Sequence, residues 1–111
     1  MNIQIFGRAK CFESKKAERY FKERRIKLQY IDLGKKEMSP GEIKSVAQAV
    51  GGLDSLINDQ HPDAALLRYL AYEGDKLEKL VENPALLRTP IVRNGKKATL
   101  GYRPEVWKLW D

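Results

Sequence analysis

Thiols and imidazoles are nearly missing from this sequence: of its 111 residues, only Cys11 is a cysteine and only His61 a histidine. A lone cysteine cannot close a disulfide within the chain, so the expected setting is a reducing compartment. One cysteine and one histidine also fall short of the four ligands of a structural zinc site, and no metal is expected. No apolar run approaches the roughly 20 residues that a membrane-spanning helix needs. Ile3, Ile5 and Phe6 precede Gly7, too short an apolar stretch for a secretory signal. Repeats, low-complexity linkers and shifts in composition are absent too, which leads to one domain spanning 1–111. The expectation is a soluble, cytoplasmic protein.

Apolar residues make up 42% of the chain, enough for one packed core, and charged residues 32%. The formal net charge is +6 and the pI near 9.5. Such a charge favours anionic ligands, acidic protein surfaces or nucleic acid. The basic residues, however, are spread from Arg8 to Lys108, many within a helical turn of a glutamate. No stacking-aromatic or groove-reading motif accompanies them, so nucleic acid is not the expected partner.

The apolar pattern predicts a strand at Ile3–Gly7 and a helix from Phe12 to about Arg24, with Ala17, Tyr20 and Phe21 on one face. A second strand follows around Leu28, Tyr30 and Ile31. Ser39-Pro40-Gly41-Glu42 is a capping box with proline at the first helical position, and Gly51-Gly52 stops the helix it opens. Pro62 opens a third helix with Leu66, Leu67, Tyr69 and Leu70, ending near Gly74, in which Tyr69 and Tyr72 read as core or half-buried. Asp75 caps a fourth, interrupted at Asn83-Pro84. Asn94-Gly95 reads as a two-residue hairpin turn between Pro90–Arg93 and Ala98–Leu100. A last short helix starts at Pro104, and Trp107 and Trp110 are expected to pack on the core. The order predicts an α/β fold with a four-stranded mixed sheet, its first two strands parallel through a right-handed crossover. A helical insertion covers about 39–87.

Cys11 follows a strand and a short loop and stands where the first helix begins. An unperturbed thiol of pKa ~8.5 is only about 3% ionised at pH 7, and a drop of one unit raises that to roughly a quarter. Unpaired amides at the helix start favour the charged sulfur, and Arg8, Lys10, Lys15 and Lys16 push the same way. The Glu13 carboxylate is expected to push back. Ser14, one turn on, can donate a hydrogen bond to a thiolate but cannot serve as a second redox sulfur. Any mixed disulfide on Cys11 therefore needs an outside thiol to resolve it. The sequence also admits an inert buried cysteine beside an ordinary first-turn serine. Thr89-Pro90 precedes the third strand; only about 5–6% of X–Pro bonds are cis, so proline alone favours trans.

Taken together, these parts resemble the arsenate-reductase-like (ArsC/Spx/YffB) branch of the thioredoxin superfamily. The resemblance rests on Cys11-Phe12-Glu13-Ser14-Lys15-Lys16-Ala17, on Asn83 through Val92, and on Leu100-Gly101-Tyr102, with the helical insertion between. It implies a thioredoxin-like fold, a reactive Cys11 assisted by Ser14, and a cis Thr89-Pro90 beside the cysteine. It further implies a thiol-dependent reductase of the glutaredoxin-dependent arsenate reductase type. Its substrate would be a small oxyanion or a disulfide, with glutathione, glutaredoxin or thioredoxin as reductant and no bound cofactor. The Spx branch implies an alternative, a regulator that binds RNA polymerase; a non-catalytic member is a third. The chain departs from the family where anion-binding arginines are expected. Thr89 replaces the arginine before the proline, Asn58 stands at a second position, and Arg103 is near a third. Arg8, Lys10, Arg88 and Arg103 remain as a basic rim for an anion or for glutathione's carboxylates.

Overall fold

The computed structural model describes residues 1–110, so residue 111 of the expected domain span lies outside them. Strand β1 (Ile3–Gly7), helix α1 (Phe12–Glu23) and strand β2 (Leu28–Asp32) form a βαβ unit with parallel strands, Ile3 beside Leu28 and Gly7 beside Asp32. Strand β3 (Ile91–Asn94) runs antiparallel to β1, and β4 (Lys97–Leu100) antiparallel to β3. The sheet order is β2-β1-β3-β4, the mixed four-stranded sheet that the pattern predicts. Between β2 and β3 lie α2 (Pro40–Val50), a 3₁₀ turn at Leu53–Leu56, α3 (Ala64–Arg68), α4 (Glu73–Glu82) and a second 3₁₀ turn at Pro84–Leu86. Helix α5 (Pro104–Trp107) follows β4. Among the described residues, no helix is long and apolar enough to cross a membrane.

Side chains alternate across the pleat, so each strand feeds two layers. Ile3, Ile5 and Val92 pack against Ala17, Tyr20 and Phe21 of α1 and against Trp107 and Trp110. The Trp107 ring meets Phe21, Tyr20 and Tyr102 at centroid distances of 5.1, 5.2 and 5.5 Å. Its indole N–H donates to Thr99 Oγ1 at 2.7 Å, so the buried ring leaves no polar atom unpaired. On the other face, Phe6, Ile31 and Ile91 pack against Ile43 and Val46 of α2, Leu56, and Leu80 of α4. Lys76 of α4 is also buried there and reaches Asp54 Oδ1 at 3.0 Å.

Helix α2 starts as its sequence dictates. Ser39 Oγ accepts from Glu42 N–H at 3.1 Å, and Glu42 Oε1 accepts from Ser39 N–H at 2.9 Å. Gly51 ends the helix at φ 101°, a left-handed position suited to glycine.

Three local expectations are corrected. The third helix is not the long element expected from Pro62 to Gly74 but the five-residue α3. One turn offers one inward face, which Ala64 and Leu67 fill; Tyr69 and Tyr72 are 86% and 73% exposed rather than core. Gly74 lies inside α4, whose N-cap is Tyr72 and not Asp75, because the Asp75 and Lys76 amides both donate to the Tyr72 carbonyl. The hairpin turn is Gly95-Lys96, one residue later than Asn94-Gly95. Asn94 pairs with Lys97, its side chain accepts from Asn2 N–H at 3.3 Å, and Gly95 takes the positive φ of 63°.

Candidate functional site

Strand β1 stops at Gly7, and the chain turns through Arg8-Ala9-Lys10 to place Cys11 as the N-cap of α1. The turn is closed by Cys11 N–H donating to the Arg8 carbonyl at 3.0 Å. Two further bonds hold it. The Arg8 amide donates to Ser14 Oγ at 3.3 Å, and Arg8 Nη2 donates to the carbonyls of Pro84 and Leu87 at 2.6 and 2.7 Å. The facing wall is the segment ahead of β3, anchored where Asn58 N–H donates to Leu86 and Arg88 N–H to Leu56, at 2.7 and 2.8 Å. The Thr89-Pro90 bond in this wall is cis.

The sulfur is partly exposed, and its pKa is lowered. Partial burial pushes the thiol up, but the hydroxyls of Ser14 and Thr89 and the amides of Ser14 and Glu13 together pull it further down. These amides belong to the first turn of α1 and have no partner within the helix. No cap hydrogen bond is closed on the neutral side chain, so their effect is to favour charge when it forms. The protonated sulfur instead donates to the Thr89 carbonyl at 3.6 Å. Once ionised it has no hydrogen to give, and the hydroxyls become its partners. The Arg8 guanidinium is lowered by burial, while the nearby Cys11 sulfur raises it.

Glu13 also has a structural part at this site. Its Oε2 accepts from Tyr102 N–H at 3.1 Å, tying the start of α1 to the loop after β4, while its amide serves the sulfur.

A cleft of about 360 Å³ opens over Cys11, with Lys10, Asn58, Gln60, Arg88 and Thr89 around it. Three grooves are larger: two of about 490 Å³, between α3 and α4 and between α2 and α4, and one of about 420 Å³ bordered by Arg88 and Arg103. They contain no thiol, so chemistry rather than size marks the cleft at Cys11. Among the described residues, no group of three or more histidine, cysteine, aspartate or glutamate side chains is placed to hold a metal ion.

A partly exposed thiol at the start of α1, on a mixed sheet beside a cis-proline turn, narrows the comparison with known proteins. The model of the ArsC family matches residues 6–109. The chain belongs to the ArsC family. A curated relative, the global transcriptional regulator Spx 2 of Oceanobacillus iheyensis, is 25% identical to this ArsC-family chain over 112 residues, covering 95% of the chain and 80% of the relative. Among solved structures, the arsenate reductase from Vibrio cholerae has a TM-score of 0.83 at 22% identity, covering 99% of this chain and 97% of that one. A YffB protein has a TM-score of 0.80 at 15% identity, covering 96% of each chain. At these identities, the solved structures speak to the fold, which is thioredoxin-like.

Within this ArsC-family fold, the residues singled out from sequence divide. Cys11, Ser14, Arg8, Lys10, Arg88 and Thr89 come together, and Pro90 holds the adjoining turn, its carbonyl accepting from Gly101 N–H at 2.9 Å. Arg103 is not at the cleft. Its Nε pairs with Glu105 Oε2 at 2.7 Å, and it lines a separate groove that Arg88 also borders. Arg8 is a half-buried strut as much as part of a rim, since two carbonyls hold it. Gln60 and Tyr30 were not singled out, and Asn58 only as a departure. Nothing local in the sequence points to Gln60. Tyr30 sits beside the site because β2 pairs with β1, a relation only the sheet register reveals.

Proposed function

We propose that this chain is a thiol-dependent oxidoreductase in which Cys11 is the nucleophile and an external thiol completes the cycle. The observation that supports this most is the sulfur's setting: an accessible cleft, a lowered pKa, and hydrogen-bond donors arranged for the thiolate. The thiolate attacks one sulfur of a disulfide. A new S–S bond forms to Cys11, the old one breaks, and the other half leaves as a thiolate. Ser14 cannot resolve the mixed disulfide, so a second thiol from outside attacks the sulfur of the bound half, forms a new disulfide with it and displaces Cys11 as a thiolate. Glutathione, or the cysteine of glutaredoxin or thioredoxin, fits that role.

A disulfide suits the cleft better than a small oxyanion. Binding an oxyanion calls for free guanidinium forks. Arg8 is committed to two carbonyls and Arg103 to Glu105, which leaves Lys10 and Arg88 at the mouth, with Arg88 Nη1 also donating to the Ser55 carbonyl at 3.5 Å. Those two charges suit the carboxylates of glutathione.

The test is mass spectrometry after exposure to oxidised glutathione. We expect one glutathione per chain on Cys11, none on Cys11→Ser, and removal by reduced glutathione or glutaredoxin. The lowered pKa also sets a sign: alkylation of Cys11 rises with pH and reaches half its maximum below the pH found for a cysteine in a short peptide. Uptake no faster than by an unfolded chain, or a midpoint at or above the peptide's, sinks the reading.

The likeness to a transcriptional regulator favours a second reading, a surface-binding protein that engages RNA polymerase. With one cysteine, such a protein has no internal disulfide to switch it. Retention of polymerase by both the chain and Cys11→Ser, with no glutathione uptake, supports this reading. Absence of a stable polymerase contact removes it.

A further inference from the structure

We propose that the outer face of α1, led by Phe12, is a docking surface for an acidic protein that brings its own sulfur to Cys11. This rests on the reading of Cys11 as the nucleophile and names the partner class for that cleft. Phe12 is the first residue of α1, next to the cysteine, and its ring is 80% exposed. The core under the helix is filled instead by Ala17, Tyr20 and Phe21. An aromatic ring left in water beside a reactive sulfur adds almost nothing to the fold. Covering it on association removes apolar surface from water.

Charge continues the face. Residues at i, i+3, i+4 and i+7 share one side of a helix. Counted from Phe12 these are Lys15, Lys16 and Arg19, all exposed, and none of them makes an ion pair among the described residues. The carboxylates of α1 are engaged or distant: Glu13 accepts from Tyr102 N–H, Glu18 pairs with Lys22, and Glu23 is the last residue of the helix. Lys16 and Arg19 also border a groove of about 310 Å³, with Arg24 and Glu23 at its side. An apolar tip at the sulfur and a basic stripe behind it complement an acidic surface that carries an apolar side chain near its cysteine. A nucleic acid matches the charge but has no sulfur to bring. One ring is also not the series of aromatics on which the bases of a single strand stack.

The probes are short peptides, each with one cysteine activated by thionitrobenzoate. In the first, glutamates and leucines flank the cysteine; in the second, lysines replace the glutamates; in the third, serines replace the leucines. The Cys11 thiolate attacks the peptide sulfur, a disulfide between peptide and Cys11 forms, and thionitrobenzoate leaves as the more stable thiolate, whose colour gives the rate. Each rate is divided by that of the same variant with hydroxyethyl disulfide, which cancels any change in the sulfur itself. At low salt, the first peptide is expected to react roughly tenfold faster than the second and several-fold faster than the third. Phe12→Ser is expected to abolish the preference for leucines and keep that for glutamates, and Arg19→Glu to weaken the preference for glutamates and keep that for leucines. Equal rates for the three peptides, or preferences that survive both substitutions, overturn the proposal. So does stronger inhibition by an oligothymidylate than by the acidic peptide with serine in place of its cysteine. If Cys11 reacts with no probe faster than an unfolded chain does, the nucleophile reading fails and the docking face with it. Brisk but equal rates sink the face alone.

Discussion

Thr99 and Trp107 sit eight residues apart at the bottom of the α1 layer, and their hydrogen bond is the only one the indole makes. Thr99→Val keeps the shape and removes the acceptor, leaving a buried N–H without a partner. The expected loss is about 1–3 kcal/mol of stability, read as a lower urea midpoint with an unchanged slope; no shift in the midpoint would refute the account. The tryptophan's burial was legible from its spacing with Trp110, but its partner was not, since Thr99 reads simply as a strand residue. The same limit applies at the cleft. Cys11 and Ser14 could be paired from sequence because one helical turn separates them. Arg8 could not be recognised as a strut, because its acceptors, Pro84 and Leu87, lie far along the chain. Arg103 resembled a cleft residue by order alone, and a local carboxylate, Glu105, claims it instead.

Elements whose signals are local were read well, and α2 is the clearest case. Its capping box, proline and terminal glycine all lie within or next to the helix, and all act as expected. Ser39→Ala removes the acceptor for the Glu42 amide and is expected to cost about 1 kcal/mol, while Ser39→Asp should retain most of the stability. Equal midpoints for Ser39→Ala and the parent would show that the cap contributes nothing. Helices α3 and α4 were harder because their limits depend on packing. Leu66, Leu67, Tyr69 and Leu70 supply apolar residues for a longer helix, yet the core below has room for one turn of α3. Gly74 resembles a stop signal, but with no positive φ it joins the first turn of α4. A hairpin register likewise depends on both strands, and here Gly95 rather than Asn94 takes the first turn position.

At the scale of the molecule, the excess of basic residues gives a field that reaches beyond any single contact. With a net charge of +6, reaction of Cys11 with oxidised glutathione, an anion, is expected to slow several-fold between about 10 mM and about 300 mM salt. A neutral disulfide such as hydroxyethyl disulfide should change far less. Equal salt dependence for the two would place the effect in the protein's own conformation instead of in attraction between charges. The sheet's mixed character was legible from the order of elements, because a strand-helix-strand unit and a tight hairpin permit few arrangements. Which strand lies in the middle was not, since pairing between β1 and β3 joins the two ends of the chain.

That pairing sets a schedule for biosynthesis. On the ribosome, β1 emerges well before Ile91–Asn94, which must leave the exit tunnel before the second edge of β1 can be bonded. Until then a short, strongly apolar strand has one open row of amides and carbonyls, the kind of surface that invites association with other nascent chains. The turn that brings Thr89 to the sulfur arrives with the same late segment, so the cysteine gains its surroundings only after that distant stretch has been made.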